Sequence, residues 1–278
     1  MNMHSPVFQE QRLSDELPMV LMRQHADGDA SQPGHAGHTG KGKHVHFHEE
    51  GQMYISLRGL IVLEVDGNRS VLPPGRIGWV PPRMPHAAAI HGSRLPDGLV
   101  GYTIHLTPSL CAQLPREAVV LRIPPLAQAL LDRMRAWPQG TPDDAAALRL
   151  MQVFLDEVSG AEADPLHLTM PRHPRLLAMA AAIADDPADE TDLDSWARQT
   201  GLSRRSITRR FREETGMSLV EWRQIVRLQR GMELLTAGQP VTTVAITLGY
   251  DSVSSFIALF RRTLGTTPAK FAQLAAVA

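Results

Sequence analysis

The sequence has one cysteine in 278 residues, Cys111, so the chain cannot form an internal disulfide and contains no CxxC pair for a zinc cluster. It also lacks any apolar run approaching the 18 or so residues that a membrane-spanning helix requires. Its first twenty residues have no basic segment followed by an apolar stretch, which a secretory signal would show. We therefore expect a cytoplasmic protein without a membrane partner.

The length and composition are those of an ordinary globular protein with room for two domains. Apolar residues make up 43% of the chain and charged residues 21%, which excludes a wholly disordered or fibrous chain. Single domains usually hold about 100–150 residues, so 278 residues favour more than one.

The net charge of -1 conceals an uneven distribution along the chain. From Trp196 to the carboxyl end there are 12 basic and 5 acidic residues, whereas residues 1–195 carry 16 basic and 24 acidic residues. Such asymmetry is a hint of a nucleic-acid-binding part joined to a part with another task. A solvated helical face would give the same surplus of basic residues, so charge alone does not decide whether this part of the chain binds nucleic acid.

The first half of the chain is predicted to be a β domain behind a flexible segment. Residues 1–43 are rich in glycine and histidine and show no apolar periodicity, so we expect most of them to be mobile. Residues 44–122 contain short apolar runs such as LIVLEV and IGWV, separated by turn signals such as DGN and PPG. Prolines at 73, 74, 81, 82 and 85 exclude long central strands in this region.

Residues 123–174 are predicted to form two amphipathic helices followed by a linker with three prolines. Their apolar faces would either pair two subunits in a homodimer or pack on the β domain of the same subunit. The candidate dimerisation residues are Leu126, Leu130, Met134, Met151, Phe154 and Leu155.

The last third of the chain, residues 175–278, contains an internal repeat. An Ala-x3-Gly turn occurs at Ala197 to Gly201 and again 48 residues later at Ala245 to Gly249, and similar aromatic and glycine positions follow each copy. The pattern predicts two helix-turn-helix units, at about 190–216 and 240–265. A helix from Leu219 to about Thr236 would join them; its length of roughly 27 Å compares with a spacing of about 34 Å between successive major-groove faces.

The second helix of each unit presents polar side chains opposite its apolar pair. In the first unit, Ile207 and Phe211 face inward and leave mostly arginines outside. Arginine's planar fork can hold guanine O6 and N7 or a phosphate with two hydrogen bonds. The alternative interpretation is that these arginines form an ordinary solvated helix surface that does not bind DNA. The candidate DNA-binding residues are Ser203, Arg204, Arg205, Thr208, Arg209, Arg212, Ser252, Ser254, Ser255, Arg261 and Arg262.

These units resemble the DNA-binding domain of the AraC/XylS family of bacterial transcription regulators. The stretch VTTVAITLGYDSVSSFIALFRRTLGTTPAKF is similar to that family's most characteristic segment, including its Gly-Tyr, Phe-Arg-Arg and Gly-x-Thr-Pro elements. Ala258 departs from the polar or basic residue of many relatives, which favours weaker base reading by the second helix. The resemblance implies promoter DNA as a partner, nucleoid association when bound, and contact with RNA polymerase.

The β segment carries two further patterns, Gly40-x5-His46-x-His48-x3-Gln52-x6-Gly59 and Gly75-x5-Pro81-x-Arg83-x2-His86. They resemble the two cupin motifs, which implies a small barrel with His46, His48 and His86 pointing inward. Three imidazoles could hold zinc, nickel, iron or manganese. Gln52 replaces the usual glutamate and Arg83 replaces a glycine, so the histidines could instead bind an organic ligand.

The fold expected is thus a multidomain α and β chain: an N-terminal cupin-like β-barrel, central helices, and a C-terminal all-α domain with two helix-turn-helix motifs. The leading hypothesis is a non-enzymatic regulator whose barrel senses a small-molecule effector or metal ion and controls promoter binding. Alternatives are a cupin metalloenzyme fused to a DNA-binding domain, against which Gln52 argues because it supplies no carboxylate, and a dedicated metal sensor.

Overall fold

A computed structural model of the chain describes residues 19–25, 45–57, 59–91, 99–137, 144–164 and 166–276. The chain divides into two compact units. The N-terminal unit comprises residues up to Asp66 and Val71–Asp164, and the C-terminal unit comprises Gly67–Ser70 and Pro165–Val277. Within the described ranges, no helix is long and apolar enough to cross a membrane.

The N-terminal unit is built on two antiparallel sheets. One contains five strands in the order β1-β7-β2-β5-β8, and the strands β6, β3 and β4 are neighbours in the other. The bounds are β1 Met19–His25, β2 Gly51–Ser56, β3 Leu60–Val65, β4 Asn68–Leu72, β5 Arg76–Val80, β6 His86–His91, β7 Leu99–Leu106 and β8 Val119–Arg122.

The predicted β domain is therefore present, with two corrections. Among the described residues the strands form two open sheets, and a closed barrel is not observed. In addition, β1 lies inside the segment expected to be flexible, where it pairs with β7 along its whole length. The remainder of residues 1–43 lies outside the described part of the chain.

The two central helices belong to the N-terminal unit. After the short α1, Pro108–Cys111, they are α2, Pro125–Arg135, and α3, Ala145–Ser159. Four of the six candidate dimerisation residues are buried in the same apolar core as Trp79 and Ile104 of the five-stranded sheet, namely Met134, Met151, Phe154 and Leu155.

The prediction that these four residues pair subunits is therefore wrong, because the sheet of their own subunit already covers them. Leu130 is half-buried and Leu126 is exposed. Homodimer formation stays a prediction.

The C-terminal unit is helical apart from β9, His167–Leu168, whose residues pair with Ser70 and Arg69. Its helices are α4 Pro174–Asp185, α5 Leu193–Thr200, α6 Arg204–Thr215, α7 Leu219–Thr236, α8 Val241–Thr247, α9 Val253–Leu264 and α10 Pro268–Ala276. The pairs α5–α6 and α8–α9 correspond to the two predicted helix-turn-helix units. The joining helix α7 has the predicted bounds.

Local signals fix the turn inside each unit and the start of its second helix. The side chains of Ser203 and Ser252 cap α6 and α9 by accepting from the backbone N–H three residues later. The turn glycine Gly201 has a φ of 63° and Gly249 one of 72°, in the left-handed region that glycine adopts at little cost. Inside the units, Ile207, Phe211, Phe256 and Phe260 are fully buried. Each second helix therefore has a fixed outer face.

Candidate effector site and DNA-reading helices

Strand pairing in the N-terminal unit brings together three histidines and a glutamine that the sequence placed in one site. His46 and His86 face each other in an antiparallel bridge, with backbone hydrogen bonds of 2.9 and 3.0 Å. His46 and His48 alternate with the exposed Val45 and Phe47, so both imidazoles lie on the opposite side of the segment.

The imidazoles form a compact group, which we call the imidazole cluster: His46, His48 and His86. Their ring centroids are 4.4 to 5.9 Å apart, and their ligand atoms lie within 4.8 Å of one another. Three nitrogens bound tetrahedrally to one ion at about 2.1 Å lie about 3.4 Å apart, so the most widely separated nitrogens would have to approach by about 1.4 Å to hold a single cation. The donor set therefore fits a transition metal.

Hydrogen bonds to the backbone set the orientation of two rings in the cluster. Nδ1 of His48 lies 2.8 Å from the carbonyl oxygen of Glu50, and Nδ1 of His86 lies 2.8 Å from that of Met84. A carbonyl oxygen only accepts, so each Nδ1 carries the proton and a neutral ring presents a lone pair at Nε2. Metal-binding histidines typically have this arrangement, in which the distal nitrogen donates to a carbonyl.

Both Nε2 atoms point at the side-chain oxygen of Gln52. The distance to Oε1 is 3.0 Å from His48 and 2.9 Å from His86, and the Tyr54 hydroxyl donates to the same oxygen at 2.8 Å. Lone pairs facing a carbonyl oxygen repel it unless a proton or a cation lies between them. A proton or a cation between the Nε2 atoms and this oxygen would relieve that repulsion.

The opposite orientation of the Gln52 amide would not satisfy the same neighbours. Its NH2 group would donate to Nε2 of His48 and of His86 and its oxygen could accept from Nε2 of His105, but the Tyr54 hydroxyl would lose its acceptor. The amide nitrogen instead lies 3.3 Å from Nε2 of His105. Gln52, Tyr54 and His105 thus form one buried network behind the imidazole cluster.

Sequence reasoning missed Tyr54 and His105, although a signal was present for both. Tyr54 lies two residues after Gln52 in β2 and so shares its face, and His105 is directly opposite Gln52 in the pairing of β2 with β7. Burial raises the pKa of the Tyr54 hydroxyl, so it acts as a hydrogen-bond donor at neutral pH. A polar residue within an apolar strand such as LVGYTIHL indicated an interior contact.

Arg83 does not place its charge in the cluster. Its guanidinium is 72% exposed and donates to Glu49 at 2.6 and 2.7 Å, away from the histidines. The residue has a φ of 62°, which explains why glycine suits this position in related motifs. Arg83 therefore places no repulsive charge beside a cation bound at the imidazole cluster.

In the C-terminal unit, the outer face of α6 has the composition that the sequence predicted. The six candidate residues of this unit, Ser203, Arg204, Arg205, Thr208, Arg209 and Arg212, are all exposed. A shallow concavity on this face is lined by Arg205, Thr208, Arg209, Arg212 and Glu213. The face carries several cationic groups at the point where a helix-turn-helix motif meets DNA.

The outer face of α9 is less basic. Ser252, Ser254, Ser255, Arg261 and Arg262 are exposed, and the concavity here is lined by Ser254, Ile257, Ala258, Arg261 and Arg262. Small and apolar side chains suit contacts with a thymine methyl group, while the two arginines suit phosphates. The roles of individual residues in both helices stay predictions.

Comparison with known proteins agrees with this architecture. Residues 31–155 match the AraC-like ligand binding domain, and residues 196–273 match a helix-turn-helix domain. Over 237 residues the chain is 30% identical to the HTH-type transcriptional regulator NimR of Escherichia coli, covering 85% of each chain. The chain belongs to the AraC family of transcription regulators.

Other relatives are also regulators rather than enzymes. The Arabinose operon regulatory protein of Salmonella typhimurium is 26% identical over 236 residues, which is 78% of this chain and 81% of that one. Among solved structures, ToxT from Vibrio cholerae matches 93% of this chain and 98% of its own, with a TM-score of 0.39 and 11% identity. The two family matches show that this AraC-family chain joins a ligand-binding domain to a DNA-binding domain.

Proposed function

We propose that this regulator binds promoter DNA through α6 and α9 and that a divalent transition-metal ion, held by the imidazole cluster, is its effector. One observation carries the metal assignment: the Nε2 atoms of His48 and His86 converge on Gln52 Oε1 while both Nδ1 atoms donate to backbone carbonyls. His46, His48 and His86 would supply imidazole ligands and Gln52 an amide oxygen, a set that suits zinc, nickel, iron or manganese.

The bound ion would supply positive charge and fix the rings around it, and the protein's own residues would do the rest. Gln52 would turn its oxygen to the ion, while Tyr54 and His105 would hold the amide from behind at 2.8 and 3.3 Å. Gln52, Tyr54 and His105 carry no carboxylate, and the carboxylate of Glu50 lies 3.6 Å from Nδ1 of His48, on the side of that ring away from Nε2. A sensing role therefore suits the site better than catalysis.

Control of DNA binding requires that the ion favour one state of the protein. A ligand with equal affinity for two states shifts neither, however tightly it binds. We expect cation binding at the imidazole cluster to order the strands that carry it and so to change the population of the DNA-binding state.

The experiment is metal titration of the untagged full chain with Zn²⁺, Ni²⁺, Mn²⁺ and Fe²⁺ separately, followed by elemental analysis. The histidines at 25, 35, 38 and 44 could also bind metal, so the matched control is His48→Ala, which keeps all four. We expect wild type to hold one ion per chain more than this variant. Gln52→Glu should bind more tightly, since it adds a charged ligand in place of the amide.

A second measurement links the ion to DNA. Promoter fragments from the genome of origin are tested for binding to the full chain, with and without the metal ion that binds in the titration. A metal-dependent change that His48→Ala abolishes supports the proposal. Equal metal content in wild type and His48→Ala would overturn the metal assignment and leave an organic effector.

A further inference from the structure

An ion pair on the reading face of α6 joins Arg209 to Glu213, one helical turn later. A single nitrogen of the guanidinium, Nη1, donates to both carboxylate oxygens, at 2.8 and 2.9 Å. The two side chains are 56% and 55% exposed, and both line the concavity shared with Arg205, Thr208 and Arg212. The pair therefore lies within the surface that would face DNA.

The geometry leaves one complete edge of the Arg209 guanidinium available. Among the described residues, Nε and Nη2 make no hydrogen bond, and these two N–H groups form a planar fork of the kind that matches O6 and N7 of guanine. An arginine already held by a neighbour loses less side-chain freedom on binding than one that is free in solvent. Glu213 thus holds Nη1 of the Arg209 guanidinium and leaves the Nε–Nη2 edge available for a base.

Helix stability does not explain an acid at position 213. Glu213 lies in the last turn of α6, Arg204–Thr215, where a negative charge opposes the helix dipole. Arginine followed by glutamate at i,i+4 is also the less favourable order for a helical ion pair. An exposed pair of this kind contributes little to folding, and a carboxylate on this face repels DNA phosphates. Helix stability therefore gives no reason for an acid at this position.

We propose that Glu213 is a positioning residue for base recognition: it holds Arg209 so that the Nε–Nη2 edge contacts O6 and N7 of one guanine. This inference rests on the proposed function, since it requires α6 to enter the major groove. It assigns a guanine to one position of the operator and makes Glu213 a determinant of specificity that acts through Arg209.

The test is selection of bound duplexes from a randomised library by the full chain at fixed salt, followed by affinity measurements on single-base variants of the selected site. Arg209→Ala defines the base position that Arg209 reads, with an expected loss of guanine preference of about 5- to 150-fold. Glu213→Ala should reduce the preference at that same position by about fivefold or more. Binding to unrelated duplexes should stay equal or rise, because a negative charge is removed.

Two further variants separate positioning from charge. Glu213→Gln keeps an oxygen acceptor for Nη1 and should recover part of the guanine preference that Glu213→Ala loses. Asp194→Ala is the matched control, because it removes the same charge but releases Arg204, whose Nη1 lies 3.2 Å from Asp194. It should leave the preference at the Arg209 position unchanged.

Three results would overturn the inference. Glu213→Ala could strengthen binding to all duplexes equally without changing base preference, which would make Glu213 a repulsive charge only. It could instead alter preference at a different base pair, which would mean that the carboxylate reads a base itself. If wild type selects no sequence at all, the proposal of DNA reading by α6 fails, and the role of Glu213 fails with it.

Discussion

Gln52 lies directly opposite His105 where β2 pairs with β7, and the amide nitrogen of Gln52 lies 3.3 Å from Nε2 of His105. The cross-strand contact orients the amide, whose oxygen then faces His48 and His86. The orientation of the Gln52 amide thus depends on a strand about fifty residues further along the chain.

Replacement of Tyr54 by phenylalanine tests the network behind the cluster. The buried hydroxyl donates to Gln52 at 2.8 Å, so its removal should lower the free energy of unfolding by about 0.5–1.5 kcal/mol. It should also weaken metal binding, because the amide becomes free to turn. Urea denaturation measures the first effect and titration the second.

Tyr250→Phe is the matched control for Tyr54→Phe. The Tyr250 hydroxyl is buried without a hydrogen-bond partner among the described residues, and its ring lies 5.6 Å from the Arg227 guanidinium carbon. Loss of an unsatisfied hydroxyl should leave stability unchanged or raise it. A stability loss in Tyr250→Phe as large as in Tyr54→Phe would contradict the assigned hydrogen bond.

Arg83 offers a test of backbone strain that is independent of the cluster. Its φ of 62° is unfavourable for any side chain with a Cβ atom, so Arg83→Gly should be more stable than Arg83→Ala by about 1 kcal/mol. Because the guanidinium points to Glu49, both variants should bind metal as wild type does. A severalfold change in metal affinity would show that the Arg83 charge reaches the site.

Arg262→Ala should weaken binding to all DNA sequences alike. The residue is exposed in the last turn of α9, on a face with few groups able to read bases. If it neutralises one phosphate, the slope of log K against log salt should become shallower by about 0.9. Arg116→Ala, an exposed arginine of the N-terminal unit, is the charge control and should leave the slope unchanged.

Cys111 should be a slow nucleophile in the folded protein. Partial burial raises the pKa of its thiol to about 11, and the Sγ donates to the carbonyl of Thr107 at 3.2 Å. Alkylation by iodoacetamide at pH 8 should therefore be slower in the native chain than in urea. Equal rates would contradict a protected thiol.

The same shift has a consequence for stability at alkaline pH. The thiol of Cys111 keeps its proton to a higher pH in the folded state than in the unfolded state. The stability that the protonated thiol contributes is therefore fully present below about pH 9 and is lost as pH rises through about 11. Cys111→Ala should lack this part of the pH dependence, which denaturation at pH 8 and 11 would show.

Local signals made the C-terminal unit predictable. The joining helix begins after Ser218, whose side chain forms a capping box with Glu221, and an apolar stripe runs to its end at Thr236. The glycine turns and serine caps of the two helix-turn-helix units also act within a few residues. Such signals can be read from sequence without knowing what lies across the core.

The N-terminal unit was harder to predict, because its decisive contacts are far apart in sequence. Strand β1 has no recognisable pattern of its own, and its pairing with β7 some eighty residues away holds it in the sheet. The apolar stripe of α3 was correctly identified, whereas in α2 Leu126 is exposed and Ala127 and Leu131 are buried instead. Periodicity also shows only that a face is covered, not what covers it. Here the five-stranded sheet of the same subunit covers it.

The amino-acid sequence by itself determined the repeated helical units, their exposed polar faces and the histidine spacing, since each depends on residues close together in the chain. Tertiary structure decided the partners: His105 and Tyr54 behind Gln52, the outward direction of Arg83, and the burial of Phe154. These depend on strand register and on which surfaces meet, and both follow from the free energy of the whole fold.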